Sequence, residues 1–384
     1  MTTAGKTRGK IRVVIADDSS MARALLRDFL EREDDIEIVG EAGNGRLAVE
    51  LARDLKPDII TMDLEMPVMS GMEAIEEIMT SKAVPILVVS SVADAHNALV
   101  AIGHGALEVV NKPDYSPEQA TEFVDKVRML AGVSVITRMR PRKSLQPPLP
   151  LQPPLINHPT QPPPAADFSP AHPAASDFNS AYSHIFAIAC STGGPQALTH
   201  ILPLLPANFP CPIVIAQHIS DGFAGGMADW LGTLCKLPVR LVTEGELLRP
   251  GTIYISPSEQ HLCIQPNRRA HLLNRAPLDV YRPSCDVLLK SVADVFGRQA
   301  IGIILTGMGS DGALGIARIR EKGGVTLAQD ETSSVIFGMN RVAIESGAVQ
   351  QVFPVDAIAE AMIHLADPLM RINYMESAQC GQTQ

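Results

Sequence analysis

The 384-residue sequence predicts an α/β protein built from two doubly wound units joined by a proline-rich linker. Three observations point there. From residue 11 to about 130, five short apolar runs alternate with stretches of helical spacing, the pattern of βα units around a parallel sheet. From Phe186 onward the same kind of run recurs, each breaking at its carboxyl end into glycine or a polar residue. Between the two regions lies PRKSLQPPLPLQPPLINHPTQPPPAADFSPAHPAA, where proline is too dense for a helix or a sheet ladder.

Composition agrees and excludes several classes. A hydrophobic content of 46% is enough for the cores of two or three domains. No apolar run reaches about 18 residues and no signal-peptide pattern opens the chain, so a soluble cytoplasmic protein without membrane insertion is expected. A formal net charge of −10 without a basic stripe argues against nucleic acid. Cys190, Cys211, Cys235, Cys263, Cys285 and Cys380 lack C-x-x-C spacing and read as small core residues in a reducing compartment.

In order along the chain, IRVVIADD, IEIVGEA, DIITMDLEM, PILVVSS and LEVVNKP read as the strands of the first unit. MARALLRDFLERE reads as its first helix, with Met21, Leu25, Leu26 and Phe29 on one face. Acidic residues gather at strand ends: Asp17 and Asp18 after the first, Asp63 on the third. Three carboxylates at one edge repel unless a cation sits among them, and an all-oxygen donor set with retained waters suits Mg²⁺. Ser90 after the fourth strand and Lys112 after the fifth offer a hydroxyl and an ammonium to a phosphoryl group on Asp63. Taken singly, each of these reads as a solvated loop residue. The linker that follows favours polyproline II and reads as a semi-rigid spacer, in preference to a P-x-x-P docking ligand at QPPLPLQPP.

The second unit is organised around FAIACSTGGP, a buried strand ending in Ser191 and turning through Gly193 and Gly194 into the helical pattern QALTHILPLL. Alone, Ser191 reads as a helix cap. PIVIAQHIS places His218 at the end of a second buried strand, and AIGIILTGMGSDGALG places Asp311 in the turn after a third. Alone, these read as a structural histidine and an N-cap. Together they put three polar groups at the carboxyl edge of one parallel sheet, where open α/β folds gather catalytic groups, and the joint reading is a Ser-His-Asp triad. Its chain order differs from that of α/β-hydrolases, and G-x-S-x-G is absent. A competing reading takes Gly307, Gly309 and Gly312 as G-x-G-x-x-G after a strand, with Asp330 as the acidic partner of a dinucleotide. It leaves Ser191 and His218 idle, and its glycine turn comes late in the domain rather than opening it.

ACSTGGP, AQHI, PGTIYISP, RPSCDVLLKS, LTGMGSDG and AQDETSSVIFGMNRVAIESGAV resemble the catalytic domain of chemotaxis-type protein-glutamate methylesterases, the CheB family. The resemblance implies Ser191 as nucleophile, His218 as base, Asp311 as orienting acid and the backbone N–H groups of Thr192 and Met308 as oxyanion hole, with no cofactor for the ester chemistry. Asn340 stands where the family commonly has proline. The first unit resembles the receiver domain of response regulators over its full length, which implies phosphorylation of Asp63 by a histidine kinase and phosphoryl contacts from Ser90 and Lys112. It also implies Mg²⁺ held by Asp18, Asp63 and the carbonyl of Glu65, with Asp17 acting through water. The Lys112–Pro113 bond is expected to be cis. Val109 occupies the place of the receivers' aromatic switch residue, so transmission by backbone shifts replaces rotation of a ring.

The resulting expectation is a receiver over 1–137, a linker over 138–182, a methylesterase over 183–370 and a tail over 371–384. The substrates implied are methylated glutamates on cytoplasmic helices of chemoreceptors, with glutamine deamidation as a second activity. The chain is expected to be a monomer whose unphosphorylated receiver docks over the esterase cleft. A contrasting reading is a receiver fused to an inactive module that captures receptor helices.

Overall fold

The computed structural model describes residues 9–133, 135, 182, 184–276 and 279–367. In the N-terminal domain, β1 (Ile11–Ala16), β2 (Ile36–Ala42), β3 (Ile59–Met62), β4 (Ile86–Ser90) and β5 (Glu108–Asn111) form a sheet in the order β2-β1-β3-β4-β5. Every neighbouring pair is parallel. Helices cover both faces, so the central strands bury side chains on both sides and read as unbroken apolar runs. Val13 and Ile15 of β1 face α1 (Ser20–Glu31) and α5 (Pro117–Ala131), while Val14 and Ala16 face α2 (Gly45–Leu55), α3 (Gly71–Ser81) and α4 (Ala95–His104).

Helix starts follow local chemistry. Ser19, Asn44 and Ser116 accept from backbone N–H groups in the first turns of α1, α2 and α5, and Ser70 forms a capping box with Glu73 on α3.

The C-terminal domain places β6 (Ile185–Cys190), β7 (Ile213–Gln217), β8 (Val239–Leu241), β9 (Ile253–Ile255), β12 (Ala300–Ile304), β13 (Val325–Gln329) and β14 (Gln351–Phe353) in one sheet, ordered β14-β13-β12-β6-β7-β9-β8. All of its pairings are parallel. The antiparallel element is a separate hairpin, β10 (Gln260–Ile264) with β11 (Ala270–Asn274). Around the sheet lie α6 (Gly194–Ile201), α7 (Phe223–Leu234), α8 (Cys285–Phe296), α9 (Ala313–Glu321), α10 (Met339–Glu345) and α11 (Val355–Ala366). From β6 the chain steps to β7 on one side and later to β12 on the other. That reversal opens a crevice at the carboxyl end of β6.

The two domains share a core. Ala95, Ala98, Leu99 and Ile102 of α4 belong to the same buried cluster as Phe223, Met227, Trp230 and Leu231 of α7. The helices approach closely because Gly226 lacks a side chain: a Cβ there would lie 2.9 Å from that of Ala95. Asn111 Nδ2, at the end of β5, donates to the Asp221 carbonyl at 3.0 Å. Apart from Tyr182, the proline-rich segment expected over 138–182 lies outside the described residues, as does the tail expected over 371–384. Among the described residues, Cys190, Cys211 and Cys285 are buried and not joined in disulfides.

Candidate active site and acidic pocket

Ser191, His218 and Asp311 all lie just past the carboxyl ends of adjacent strands β6, β7 and β12. His218 Nε2 and Asp311 Oδ2 are 2.8 Å apart. Ser191 and His218 line one cleft of about 660 Å³, together with Thr192, Met308 and Tyr281. Asp311 is an acceptor on every side: Oδ2 also takes the Cys285 N–H at 2.6 Å, and Oδ1 takes the N–H groups of Asp286 and Gly312 and the Ser284 hydroxyl. Burial pushes its pKa up, but the His218 contact and the amides at the start of α8 outweigh burial and leave the carboxyl below its ordinary value. An ionised Asp311 fixes the proton of a neutral His218 on Nε2. Nδ1 is left as the lone-pair nitrogen, with no protein partner among the described residues.

The peptides beside Ser191 are held from behind. Ser191 N–H donates to the Thr306 carbonyl, while the Ser191 carbonyl accepts from Gln217 Nε2 at 2.8 Å and from Gly194 N–H at 2.7 Å. Because the N–H and C=O of a trans peptide point opposite ways, these bonds aim the Thr192 N–H away from Gln217. The Gly307 carbonyl accepts from Met339 N–H at 2.8 Å, which aims the Met308 N–H away from α10 by the same geometry. Gly193 must be glycine: its φ is +79°, and a Cβ would stand 2.5 Å from Val335 Cβ. Asn340 is fully buried and donates to the Gln329 carbonyl and to Ser334 Oγ, tying the start of α10 to the end of β13.

Two supporting residues escaped the sequence reading. The Tyr281 ring stacks on the His218 imidazole, with centroids 5.2 Å apart and planes inclined by 13°. His261, buried on β10, has Nε2 2.9 Å from Asp279 and accepts the Ser284 N–H on Nδ1 at 2.9 Å. It therefore pins both ends of the loop that carries Tyr281 and leads into α8.

In the first domain, acidic side chains come together at the carboxyl edge of the sheet. Ligand atoms of Asp17, Asp18 and Asp63 lie within 4.8 Å of one another, and Glu65 follows Asp63 by two positions. Lys112 Nζ is 2.9 Å from Asp17 Oδ2 and 3.0 Å from Asp63 Oδ2. Burial, aided by the Asp17 charge, raises the Asp63 carboxyl above its ordinary value despite Lys112. The Ser90 hydroxyl is buried without a hydrogen bond. Three carboxylates in an all-oxygen cluster fit a divalent hard cation. Val109 is a buried β5 residue packed among aliphatic side chains, so no ring is present to rotate.

One expectation needs revision. The Lys112–Pro113 bond is trans, and the cis X–Pro bond among the described residues is Arg282–Pro283, beside Tyr281. The glycine fingerprint has a packing explanation: a Cβ on Gly307 would meet Met339 Sδ at 2.4 Å and Ser191 Cβ at 2.6 Å, and one on Gly309 would meet the Tyr281 hydroxyl. Asp330 is tied into its own turn by Thr332 and Ser333.

Residues 186–362 match the CheB methylesterase family and residues 13–125 the response regulator receiver domain. The chain is 53% identical to protein-glutamate methylesterase/protein-glutamine glutaminase 3 of Paramagnetospirillum magneticum, over 93% of this chain and 97% of that protein. It is 38% identical to the corresponding protein 2 of Anaeromyxobacter dehalogenans, over 95% and 99%. The crystal structure of the Thermotoga maritima CheB methylesterase catalytic domain is 37% identical, with a TM-score of 0.47 over 48% of this chain and 98% of that one. With both domains matched and a relative this similar along nearly its whole length, the chain belongs to the CheB family of protein-glutamate methylesterases that carry a response-regulator receiver domain.

Proposed function

We propose that this protein is a phosphorylation-activated serine esterase that hydrolyses glutamate methyl esters on chemoreceptor helices. The observation that carries this reading is the His218–Asp311 contact at the sheet edge, on the wall of the cleft that Ser191 also lines. Ser191 Oγ attacks the ester carbonyl as its proton passes to His218 Nδ1, and Asp311 stabilises the imidazolium through Nε2–H. The N–H groups of Thr192 and Met308 receive the oxyanion. The tetrahedral intermediate collapses, the C–O bond to methanol breaks, and Nδ1 returns its proton to the leaving oxygen. Water then attacks the acyl-enzyme with His218 again as base, freeing glutamate and Ser191. Glutamine amides pass through the same intermediate and release ammonia, so deamidation is the accompanying activity.

In the receiver, Asp63 is the phosphoryl acceptor from a histidine kinase. Asp18, Asp63 and the Glu65 carbonyl would ligate Mg²⁺, with Asp17 acting through water, and the bound ion would neutralise charge on the transferring group. Lys112 and the unpartnered Ser90 hydroxyl supply the protein's own contacts to the phosphoryl oxygens.

Methanol release from methylated receptor tests the reading. Ser191→Ala and His218→Ala should abolish it in folded protein, and Asp311→Asn should cost on the order of 10³ to 10⁴ in kcat. Near-normal release from Ser191→Ala overturns the triad, and no release from the intact protein leaves the capture module. Asp63 should accept phosphate only with Mg²⁺ present. Equal labelling of Asp63→Asn would place the phosphosite elsewhere.

A further inference from the structure

We propose that His218, Cys285 and Asp311 form a binding site for Zn²⁺, and that an ion there switches the esterase off. The site lies on the Nε2 side of the imidazole, which faces Asp311 and Cys285. One ligand atom from each residue, Nε2, Sγ and a carboxylate oxygen, lies within 4.8 Å of the others. His218 Nε2 is 3.5 Å from Cys285 Sγ and 2.8 Å from Asp311 Oδ2.

Around a tetrahedral zinc with ordinary bond lengths, the nitrogen and sulfur would stand ~3.6 Å apart and the nitrogen and oxygen ~3.3 Å apart. The first separation is already present, and the second needs a spread of about half an ångström. Backbone N–H groups of Cys285, Asp286 and Gly312 hold the carboxylate, so an ion finds it oriented. The fourth position is left for water.

Donor chemistry separates this cluster from the receiver pocket. Asp17, Asp18 and Asp63 offer only oxygen and suit hard cations, whereas thiolate with imidazole and carboxylate suits zinc and its neighbours in the transition series. Nothing in the ester chemistry calls on the Cys285 thiol, which lies 3.4 Å from the Ala216 carbonyl and 3.5 Å from the catalytic ring.

Inhibition follows from proton bookkeeping. Without metal, Nε2 carries the imidazole proton toward Asp311 and Nδ1 is the free base. Binding needs the Nε2 lone pair, so the ring's single proton leaves Nε2 and is carried on Nδ1 instead, and the Cys285 thiol releases one proton to solvent as its sulfur bonds the ion. An imidazole protonated on Nδ1 cannot accept the Ser191 proton. This last step rests on the reading of His218 as the base, while the binding site itself does not.

Cobalt serves as the visible probe for the intact protein. With Mg²⁺ saturating the receiver pocket, titration with Co²⁺ should produce a near-ultraviolet thiolate-to-cobalt band that Zn²⁺ bleaches. Cys285→Ala and Cys285→Val, each checked for folding by its thermal melt, should both lose the band. Zn²⁺ should slow ester hydrolysis reversibly to chelation. In both variants, each referred to its own metal-free rate, half-inhibition should need on the order of 10- to 100-fold more Zn²⁺. No band in the intact protein, or a band retained in both variants, overturns the site. A Cys285-dependent band without inhibition supports the site and overturns instead the role of His218 as base.

Discussion

At the scale of single residues, function and stability pull against each other most clearly at Asp63. Burial dominates its environment and Asp17 adds like charge, so its folded pKa lies above the unfolded value near ~3.9. Between those two values the native state binds more protons than the unfolded chain, so this group's contribution to stability falls as pH rises and stays lost at neutral pH. Asp63→Asn should therefore melt at a higher temperature than the parent at pH 7, with the gain vanishing as pH drops below the unfolded carboxylate range. An equal or lower melting temperature at pH 7 would show that Lys112 fully compensates the buried charge. Asp311 has the opposite sign. Its folded pKa is depressed, so its contribution is present above the unfolded value and is lost as pH falls through the folded one. Both acids were legible in the sequence because each follows a buried strand. Their opposite shifts were not, because those depend on which amides, cations and like charges the fold brings alongside.

Among elements, the parallel strands were readable and the loop between β11 and α8 was not. A strand covered on both faces leaves an unbroken apolar run, and the first polar residue after it marks the functional edge; this rule alone located Asp17, Asp63, Ser191 and His218. The loop carrying Tyr281 has no periodicity, and its anchor His261 sits 23 residues before its partner Ser284. The β10–β11 hairpin that holds His261 was missed for the same reason, since its short strands are half-exposed and mixed in polarity. Stacking gives Tyr281 a positioning role that does not need its hydroxyl. Aromatic pairs of this kind contribute about 0.5–1.5 kcal/mol, equivalent to at most roughly tenfold in rate. Tyr281→Phe should hold kcat near the parent value, and Tyr281→Ala should lower it by up to about tenfold with a shifted pH profile of kcat/KM. A Phe variant as impaired as the Ala variant would assign the role to the hydroxyl near Gly309 rather than to the ring.

For the whole molecule, the question is what the receiver does to the cleft. Glu118, Glu122, Lys126 and Met129 of α5 form the wall facing Ser191 and His218, and Met129 Sδ lies 3.9 Å from Thr192 Oγ1. A receptor helix approaching Ser191 has to share this cleft with α5. The acidic residues Glu118, Glu122 and Asp125 further disfavour a segment rich in glutamate. Docking is then an intramolecular equilibrium that competes with substrate. Its strength depends on the α4–α7 contact and on the effective concentration set by a long, proline-rich tether. The contact has a narrow point at Gly226, where a Cβ would sit 2.9 Å from Ala95 Cβ and 3.0 Å from its carbonyl carbon. Gly226→Leu should wedge the domains apart without touching Ser191, His218 or Asp311. If the docked state is favoured by about 1.4 kcal/mol, undocking raises turnover on receptor about tenfold. Deletion of residues 1 to about 180 should reach the same level, and phosphorylation of the intact protein should match or exceed it. The measurement is the initial rate of methanol release at equal concentration of the parent, the wedge variant, the truncated domain and the phosphorylated protein. A small soluble ester that fits the cleft serves as control, because it should be turned over at similar rates by all four. If the wedge variant and the truncated domain are no faster than the unphosphorylated parent on receptor, the docked receiver delivers or activates the esterase rather than restraining it.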